Sequence, residues 1–457
     1  MPLEDALPDL FSLLGDRLSR SRPDRDAHGG NESYFPPTPP EAVAWPETTQ
    51  EVSRIVTICA AHGVPVVPWG AGTSLEGHAL ATQGGLCLDL GRMNRVLAVH
   101  PEDMQAVVQP GLTREALNED LRATGLFFPV DPGANATIGG MAATRASGTT
   151  AVRYGTMRDN VLALEVVLAD GRVIRTGSRA RKSSAGYDLT ALFLGSEGTL
   201  GIVTELTLRL AGQPEAISAA ICAFDSLGAA VEAVTLTIQS GIPMARIEFV
   251  DEAVARAFNA AHGGSMPEKP HLMVEFHGSP AGVAEQSERF GEIVAEMGGA
   301  GFDWATTTEA RNALWSMRHK AYWSIRAERP GTMGVVTDIC VPISHLAEAV
   351  AETRADIDAE GLVGPILGHV GDGNFHAILL VEEANQAEIA AAKRITERLA
   401  ARAHRMGGTM TGEHGVGIGK RGLMAAEHGA AWQVMGALKS ALDPQNLLNP
   451  GKLVPGN

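Results

Sequence analysis

Two short stretches concentrate the side chains suited to acid–base and metal chemistry. Gly368-His369-Val370-Gly371-Asp372-Gly373-Asn374-Phe375-His376 sets two imidazoles on either side of a tight turn, so that they can face one another across a hairpin. Gly412-Glu413-His414-Gly415-Val416-Gly417 adds a carboxylate and a third imidazole between glycine hinges. Two histidines and a carboxylate suffice to hold a divalent metal with open positions, and a further histidine is left to move a proton. A lone buried histidine is usually structural; two such clusters within one expected domain favour the functional reading. Asp372 reads as a turn residue, because the acidic spacing of a calcium loop is missing. Arg318, within Leu314-Trp315-Ser316-Met317-Arg318, lies on an expected helix. A guanidinium there is either an ordinary solvated or ion-paired group or, where a site needs one, a bidentate clamp for a carboxylate.

A second kind of chemistry is written in glycine. Pro68-Trp69-Gly70-Ala71-Gly72-Thr73-Ser74 follows an expected strand and offers unhindered amides to an anion such as pyrophosphate. It is neither a dinucleotide fingerprint, since Leu75 stands where a third glycine is needed, nor a Walker loop, since it lacks the lysine. Read alone, it is equally an ordinary turn. A longer run continues from Val130-Asp131-Pro132-Gly133 through Ile138-Gly139-Gly140, Ser147-Gly148 and Arg153-Tyr154-Gly155 to Gly195-Ser196-Glu197-Gly198-Thr199-Leu200-Gly201. It suits either a large flat or phosphorylated ligand lying against backbone or a set of tight turns.

Elements must hold these loops. At 457 residues the chain exceeds one core, so two domains are expected. Glycine is the compositional outlier, with 52 residues. The net charge of −16 lacks the basic footprint of a nucleic-acid binder and argues against attraction to anionic lipid. Cys59, Cys87, Cys222 and Cys340 lie far apart, which speaks against a zinc knuckle or an Fe–S cluster and reads as scattered thiols in a reducing compartment. The acidic N-terminus resembles neither a secretory signal nor a transit peptide, and no run is long enough to span a membrane. A cytoplasmic protein, or one peripheral at the inner membrane, is expected.

After an amphipathic N-terminal helix and a proline-rich stretch, residues 42–211 alternate short strands and glycine-rich turns with helices at Thr49–His62 and Thr113–Thr124. Near Gln213-Pro214 the pattern changes to longer helices between strands, including helices at Ala281–Met297, Glu309–Glu328 and Ala384–Met406, and a strand at Val335–Val341. This spacing suits an α+β fold, a sheet covered on one face by helices. The expected division is 1–213, 214–440 and a returning tail at 441–457.

In combination and order, these motifs resemble a known family. PWGAGTSLEGHA, VDPGA…IGGM, AVRYGTMRDNV and GSEGTLGIVTELTLRL are similar to the FAD-binding half of the vanillyl-alcohol-oxidase/PCMH superfamily. GHVGDGNFH, TGEHGVGIGKR and DPQNLLNPGKL are similar to the C-terminal half of its D-2-hydroxyacid dehydrogenase branch, which includes cytochrome-type D-lactate dehydrogenases and glycolate oxidase flavin subunits. The likeness runs from about Glu41 to Leu453.

The resemblance implies a PCMH-type FAD-binding domain of two α+β subdomains and a cap domain with an antiparallel sheet covered by helices. It implies non-covalent FAD, with its pyrophosphate on Pro68, Gly70, Ala71, Gly72, Thr73 and Ser74. Further contacts are implied from Pro132, Gly133, Gly139, Gly140, Ser147, Gly148, Gly198, Gly201 and Ile202, with Asn449 reaching back to the flavin. His78 lies near the loop, but no covalent bond is expected. His369, His376 and Glu413 match the family's metal ligands, for Zn, Mn or Fe; His414 matches the base, Arg318 the carboxylate clamp and Asn374 a polar contact to substrate or metal shell. The implied reaction is oxidation of D-lactate and related D-2-hydroxyacids by hydride transfer to flavin. Electrons would pass to a cytochrome, an electron-transfer flavoprotein or a quinone. The alternative is a glycolate oxidase flavin subunit in a complex; a non-catalytic flavin module and a flavin-free metal hydrolase are the readings from other classes. Met333, aligned with a lysine of several relatives, speaks against a dicarboxylic substrate. Trp315, Tyr322 and Trp323 read either as an apolar wall or as helix packing.

Overall fold

The computed structural model describes residues 2–31 and 33–454. The chain forms two compact units, one made of residues 1–147, 155–213 and 413–457, the other of 148–154 and 214–412. The change of pattern at Gln213-Pro214 coincides with a division between them. The C-terminal division falls at Gly412-Glu413 and not at residue 440, so the helices Met424–His428 and Ala430–Leu442 belong with the first unit.

Among the described residues the first unit has a two-stranded pair, Leu126–Phe127 with Ala211–Gly212, and two larger sheets. In one, the strands Ala42–Ala44, Leu86–Asp89 and Val66–Trp69 run parallel in that order, and Leu18–Ser19 adds an antiparallel edge. The helix Thr49–His62 buries Val52, Ile55, Val56 and Cys59, whose three- and four-residue spacing makes one apolar stripe. Thr48 caps its start by accepting from the Glu51 amide, and Gly63 ends it in the left-handed conformation. The second sheet is antiparallel, in the order Val96–His100, Gln105–Val108, Ile202–Arg209, Val161–Val167 and Val173–Gly177. The short helix Ile138–Thr144 emerges from a sequence that reads as a glycine loop; Thr137 caps it by accepting from the Gly140 amide.

The second unit is an eight-stranded sheet. Its strand order is Ala300–Ala305, Ala216–Ala223, His271–Gly278, Met244–Val250, Ile366–His369, Asn374–Glu382 and Thr332–Val336, and Ile339–Cys340 also pairs with Asn374–Glu382. Every pairing is antiparallel. One face packs Phe249, Val274, Phe276, Ala377 and Leu379 against residues of the helices Leu227–Gln239, Pro280–Glu296, Leu346–Glu360 and Gln386–Arg405. The other is not bare: Val250, Met273, Leu367, Ile378 and Leu380 pack against residues of the helices Glu252–His262, Thr308–His319 and Ala321–Ala327. The sheet thus has helices on both faces, where the sequence suggested one.

Two expected elements are interrupted. The single helix expected at Glu309–Glu328 is two, which meet at Lys320. The strand expected at Val335–Val341 breaks after Val336. The break leaves buried Thr337 and Asp338 as partners for the Asn374 and His376 side chains and the Ala377 amide of the neighbouring strand, Asn374–Glu382.

Candidate active-site residues and the family

The second unit carries one coherent polar cluster. Strand register decides which side chains share a face: Arg246 opposes Glu275, Glu248 opposes Met273, His369 opposes Asn374 and Leu367 opposes His376. Alternation then places Arg246, Glu248, Glu275, His277, His369, Asn374 and His376 on the same side of the sheet. The His369 and His376 rings lie 5.6 Å apart at an interplanar angle of 82°. The hairpin geometry expected for these histidines is therefore the one that forms.

Each imidazole is oriented through Nδ1. That of His376 lies 2.9 Å from the Thr337 carbonyl oxygen, which can only accept, so Nδ1 carries the proton. That of His369 lies 2.7 Å from Oε1 of Glu248. With Nδ1 of each ring so engaged, Nε2 is the atom that can ligate a metal, and a carboxylate or carbonyl behind a histidine is the arrangement that orients metal ligands.

Glu248 is fully buried and has a second partner. Arg318 donates to its Oε2 from Nε at 3.0 Å and approaches with Nη2 at 2.6 Å. Burial alone would raise the Glu248 pKa, but the interactions with His369 and Arg318 outweigh it and hold the group below the usual carboxylate value. Arg318 is itself buried on the helix Thr308–His319. Its Nε edge is committed to Glu248, which leaves the Nη1 side of the guanidinium for a ligand carboxylate.

Asn374 completes this set. Its Nδ2 donates to Asp338 Oδ1 and to the Ile339 carbonyl, both at 2.8 Å. Asp338 is held in turn by the Thr411 hydroxyl at 3.0 Å. Oδ1 of Asn374 is buried without a hydrogen-bond partner, so an acceptor is presented two residues from His376. The donor set and this orphaned acceptor fit a metal or a hydroxylated ligand.

Trp315 packs in the core of this face, as helix packing would have it, and also makes a polar contact. Its indole donates to Glu275 Oε2 at 2.6 Å, and His277 Nε2 meets Oε1 of the same carboxylate at 2.8 Å. The Tyr154 hydroxyl reaches His277 Nδ1 at 2.8 Å. The Glu275 carboxyl is held low: burial opposes this, but the His277 and Trp315 hydrogen bonds and the Arg246 charge prevail. Trp323 is exposed. Met333 opposes Val381 and packs on the other face of the sheet, away from His376; its side chain has no bearing on a substrate there.

The first unit gathers the glycine loops. A Cβ on Gly70 would lie 2.3 Å from Thr137 Oγ1, and one on Gly198 would lie 2.4 Å from Pro68. A Cβ on Gly139 would strike Pro110 at 2.5 Å, and one on Gly201 would strike Val166 at 2.4 Å. The protein's own packing therefore demands these glycines. Gly133 is different: it is exposed, with nothing within 4 Å of its Cβ position. Among the described residues, the amides of Ala71, Gly72, Thr73 and Ser74 donate to no protein acceptor, which fits an anion cradle. Ile202 is a core residue, so any ligand contact from it would be through backbone. Gly148 falls in the second unit.

The C-terminal segment is tied into these loops. The Leu448 backbone bridges to Val66, and the Asn449 side chain donates to the carbonyls of His78 and Glu197. Its Oδ1 accepts from Lys452. The Asn449 amide, expected to reach flavin, is thus used within the protein. Glu197, which sequence reasoning passed over, accepts from the Val416 and Gly417 amides at 2.7 and 2.9 Å and so shapes the loop after His414. The Ser147 hydroxyl donates to Glu413 at 2.9 Å, so that side chain is turned toward an expected metal ligand.

Comparisons with known proteins agree with this construction. Residues 40–177 match the family described as FAD binding domain, and residues 213–453 match FAD linked oxidases, C-terminal domain. The chain is 48% identical to the probable mitochondrial D-lactate dehydrogenase of Danio rerio, covering 99% of this chain and 92% of that protein. It is 44% identical to the mitochondrial D-lactate dehydrogenase [cytochrome] of Arabidopsis thaliana, covering 99% and 80%. The solved structure of p-cresol methylhydroxylase superposes with a TM-score of 0.80 at 19% identity, over 99% of this chain and 96% of that one. The fold is the α+β, PCMH-type architecture of FAD-dependent enzymes. The chain belongs to the FAD-linked oxidases and is an FAD-linked oxidoreductase.

One expectation is overturned. The relatives in Danio rerio, Arabidopsis thaliana and Saccharomyces cerevisiae are all named as mitochondrial, against the cytoplasmic assignment read from the N-terminus and the cysteines. Both features are weak evidence for a compartment, because neither carries a receptor-read address. No helix among the described residues is long and apolar enough to cross a membrane.

Proposed function

We propose that the protein oxidises D-lactate and related D-2-hydroxyacids to the 2-oxoacid and passes the electrons to a cytochrome, an electron-transfer flavoprotein or a quinone. The observation that carries this reading is that Asn374, His369 and His376 share one sheet face and that Arg318, from the helix Thr308–His319, is joined to the first histidine through Glu248 on that face. A 2-hydroxyacid presents a carboxylate beside a hydroxyl, and this face offers a guanidinium beside a pair of imidazoles. The names of the relatives point to the same substrate.

In this reading Arg318 holds the substrate carboxylate through its Nη1 side. Asn374 Oδ1 accepts from a hydroxyl or from a water of the metal shell. His414 takes the 2-hydroxyl proton. FAD, when bound, supplies the two-electron acceptor for the C2 hydride. A divalent ion held by His369, His376 and Glu413 would supply Lewis acidity that makes the hydroxyl easier to deprotonate. The set of two imidazoles and one carboxylate suits Zn, Mn or Fe. Ala71 to Ser74 and Gly133 would line the FAD phosphates, with the other glycine loops holding them in place.

The test is an anaerobic absorbance spectrum of the purified holoenzyme with D-lactate, with L-lactate as control, before and after chelation. Bleaching of the visible flavin band by the D isomer alone, lost on chelation and restored by added metal, is the expected result. Equal bleaching by both isomers would remove the D assignment. Bleaching that survives complete metal removal would remove the metal.

A further inference from the structure

Glu248 belongs to no motif, yet it is the fully buried group to which two of the proposed functional side chains are tied. His369, on the strand Ile366–His369, and Arg318, on the helix Thr308–His319, approach different oxygens of the same carboxylate. The three residues come from separate elements, 121 and 70 positions apart in sequence. The neighbouring carboxylates on this face have other partners: Glu275 meets Trp315, His277 and Arg246, and Asp338 meets Asn374 and Thr411 and lies 3.9 Å from His376 Nδ1.

We propose that Glu248 is a positioning residue that couples the metal ligand His369 to the carboxylate clamp Arg318. Resting on the metal and substrate roles proposed above, this goes beyond them by assigning one carboxylate to both. Oε1 keeps His369 in the Nδ1–H tautomer with Nε2 as its ligating atom. Oε2 fixes the guanidinium plane and dictates which side of Arg318 meets a substrate. A glutamine here matches the shape but offers one acceptor and one donor. Only one of the two donors facing it can then be satisfied.

The experiment compares wild type, Glu248→Gln, Glu275→Gln and His369→Ala as flavin-loaded proteins. Mn²⁺ affinity is measured by equilibrium dialysis with metal analysis, and KM and kcat for D-lactate are measured in parallel. Glu248→Gln is expected to weaken Mn²⁺ binding about 10–100-fold and to raise KM, with flavin content unchanged. Glu275→Gln, on the same face, is expected to leave Mn²⁺ affinity at the wild-type value. Wild-type Mn²⁺ affinity in Glu248→Gln overturns the inference while leaving the metal reading standing, provided His369→Ala loses the ion. A wild type that binds no Mn²⁺ sinks both. If Glu248→Gln does not fold, ¹⁵N-histidine NMR of the wild type decides: the Nδ1–H tautomer at His369 is expected, and the Nε2–H tautomer overturns the assignment.

Discussion

The side-chain amide of Asn449 donates to the backbone carbonyl of Glu197 at 2.7 Å, across 252 positions of sequence. The same Nδ2 donates to the His78 carbonyl at 3.0 Å. One residue of the C-terminal segment therefore pins two loops of the FAD-binding unit. Its own backbone is left-handed, at φ 41°, where asparagine is tolerated better than most residues.

Asn449→Ala should therefore act on stability before it acts on flavin. Two buried carbonyls lose their donor, each at about 1–3 kcal/mol, and alanine is strained at a left-handed position. A clear fall in the unfolding temperature of the flavin-free protein is expected. An unchanged apo-protein that simply binds flavin less well would instead make Asn449 a direct flavin contact.

Gly133→Ala probes the cradle with little interference from the fold. Its Cβ position is open and its φ is not positive, so the protein itself should tolerate the methyl. If FAD lies against this backbone, the variant should keep its apo stability and lose flavin affinity by roughly tenfold, about 1.4 kcal/mol. Titration of apo-protein with FAD reads this directly. Wild-type affinity would place the cofactor elsewhere.

His414→Ala should lower turnover by roughly two to four orders of magnitude, the usual worth of a positioned general base. Flavin content should stay at the wild-type level. Stopped-flow reduction with D-lactate is the appropriate measurement, because it isolates the proton-coupled step from reoxidation. Wild-type reduction rates would remove His414 from that role.

Lys452 makes stability depend on alkaline pH. Burial pushes its pKa down to about 8, with Glu197 opposing the shift and Arg421 adding to it. In the unfolded chain the group titrates near its ordinary 10.5. Between those values the unfolded state binds more protons than the folded one, so the contribution of Lys452 to stability rises with pH across that window. Below about 8 the full cost of burying the charge is present. The stability difference between Lys452→Met and wild type should shift by about 2 kcal/mol in favour of wild type between pH 7.5 and 9.5. Denaturant unfolding of both proteins at the two pH values measures it, and a pH-independent difference would contradict the depressed value.

Much of the site was legible in the chain because its signals are local. The Gly-Asp-Gly turn between His369 and His376, the helix bounded by Thr48 and Gly63, and the change of pattern at Pro214 each depend on residues only a few positions apart. The family likeness rested on such local strings, and the fold and FAD linkage followed from them. Glu248, Asp338 and Glu275 carried no such signal. A buried carboxylate is defined by the donors that strand register and helix docking bring to it, and those lie tens to hundreds of residues away. The same reason governs the readings that changed. Met333 sits on the far face of its strand because register with Val381 decides the side. The C-terminal segment joins the first unit from Glu413 onward because its partners are Ser147, Glu197 and Val66. Residue types and their short spacings determined the chemistry this protein can do; which carboxylate stands behind which histidine was decided only when distant strands paired, because burial and hydrogen-bond satisfaction are properties of the packed chain.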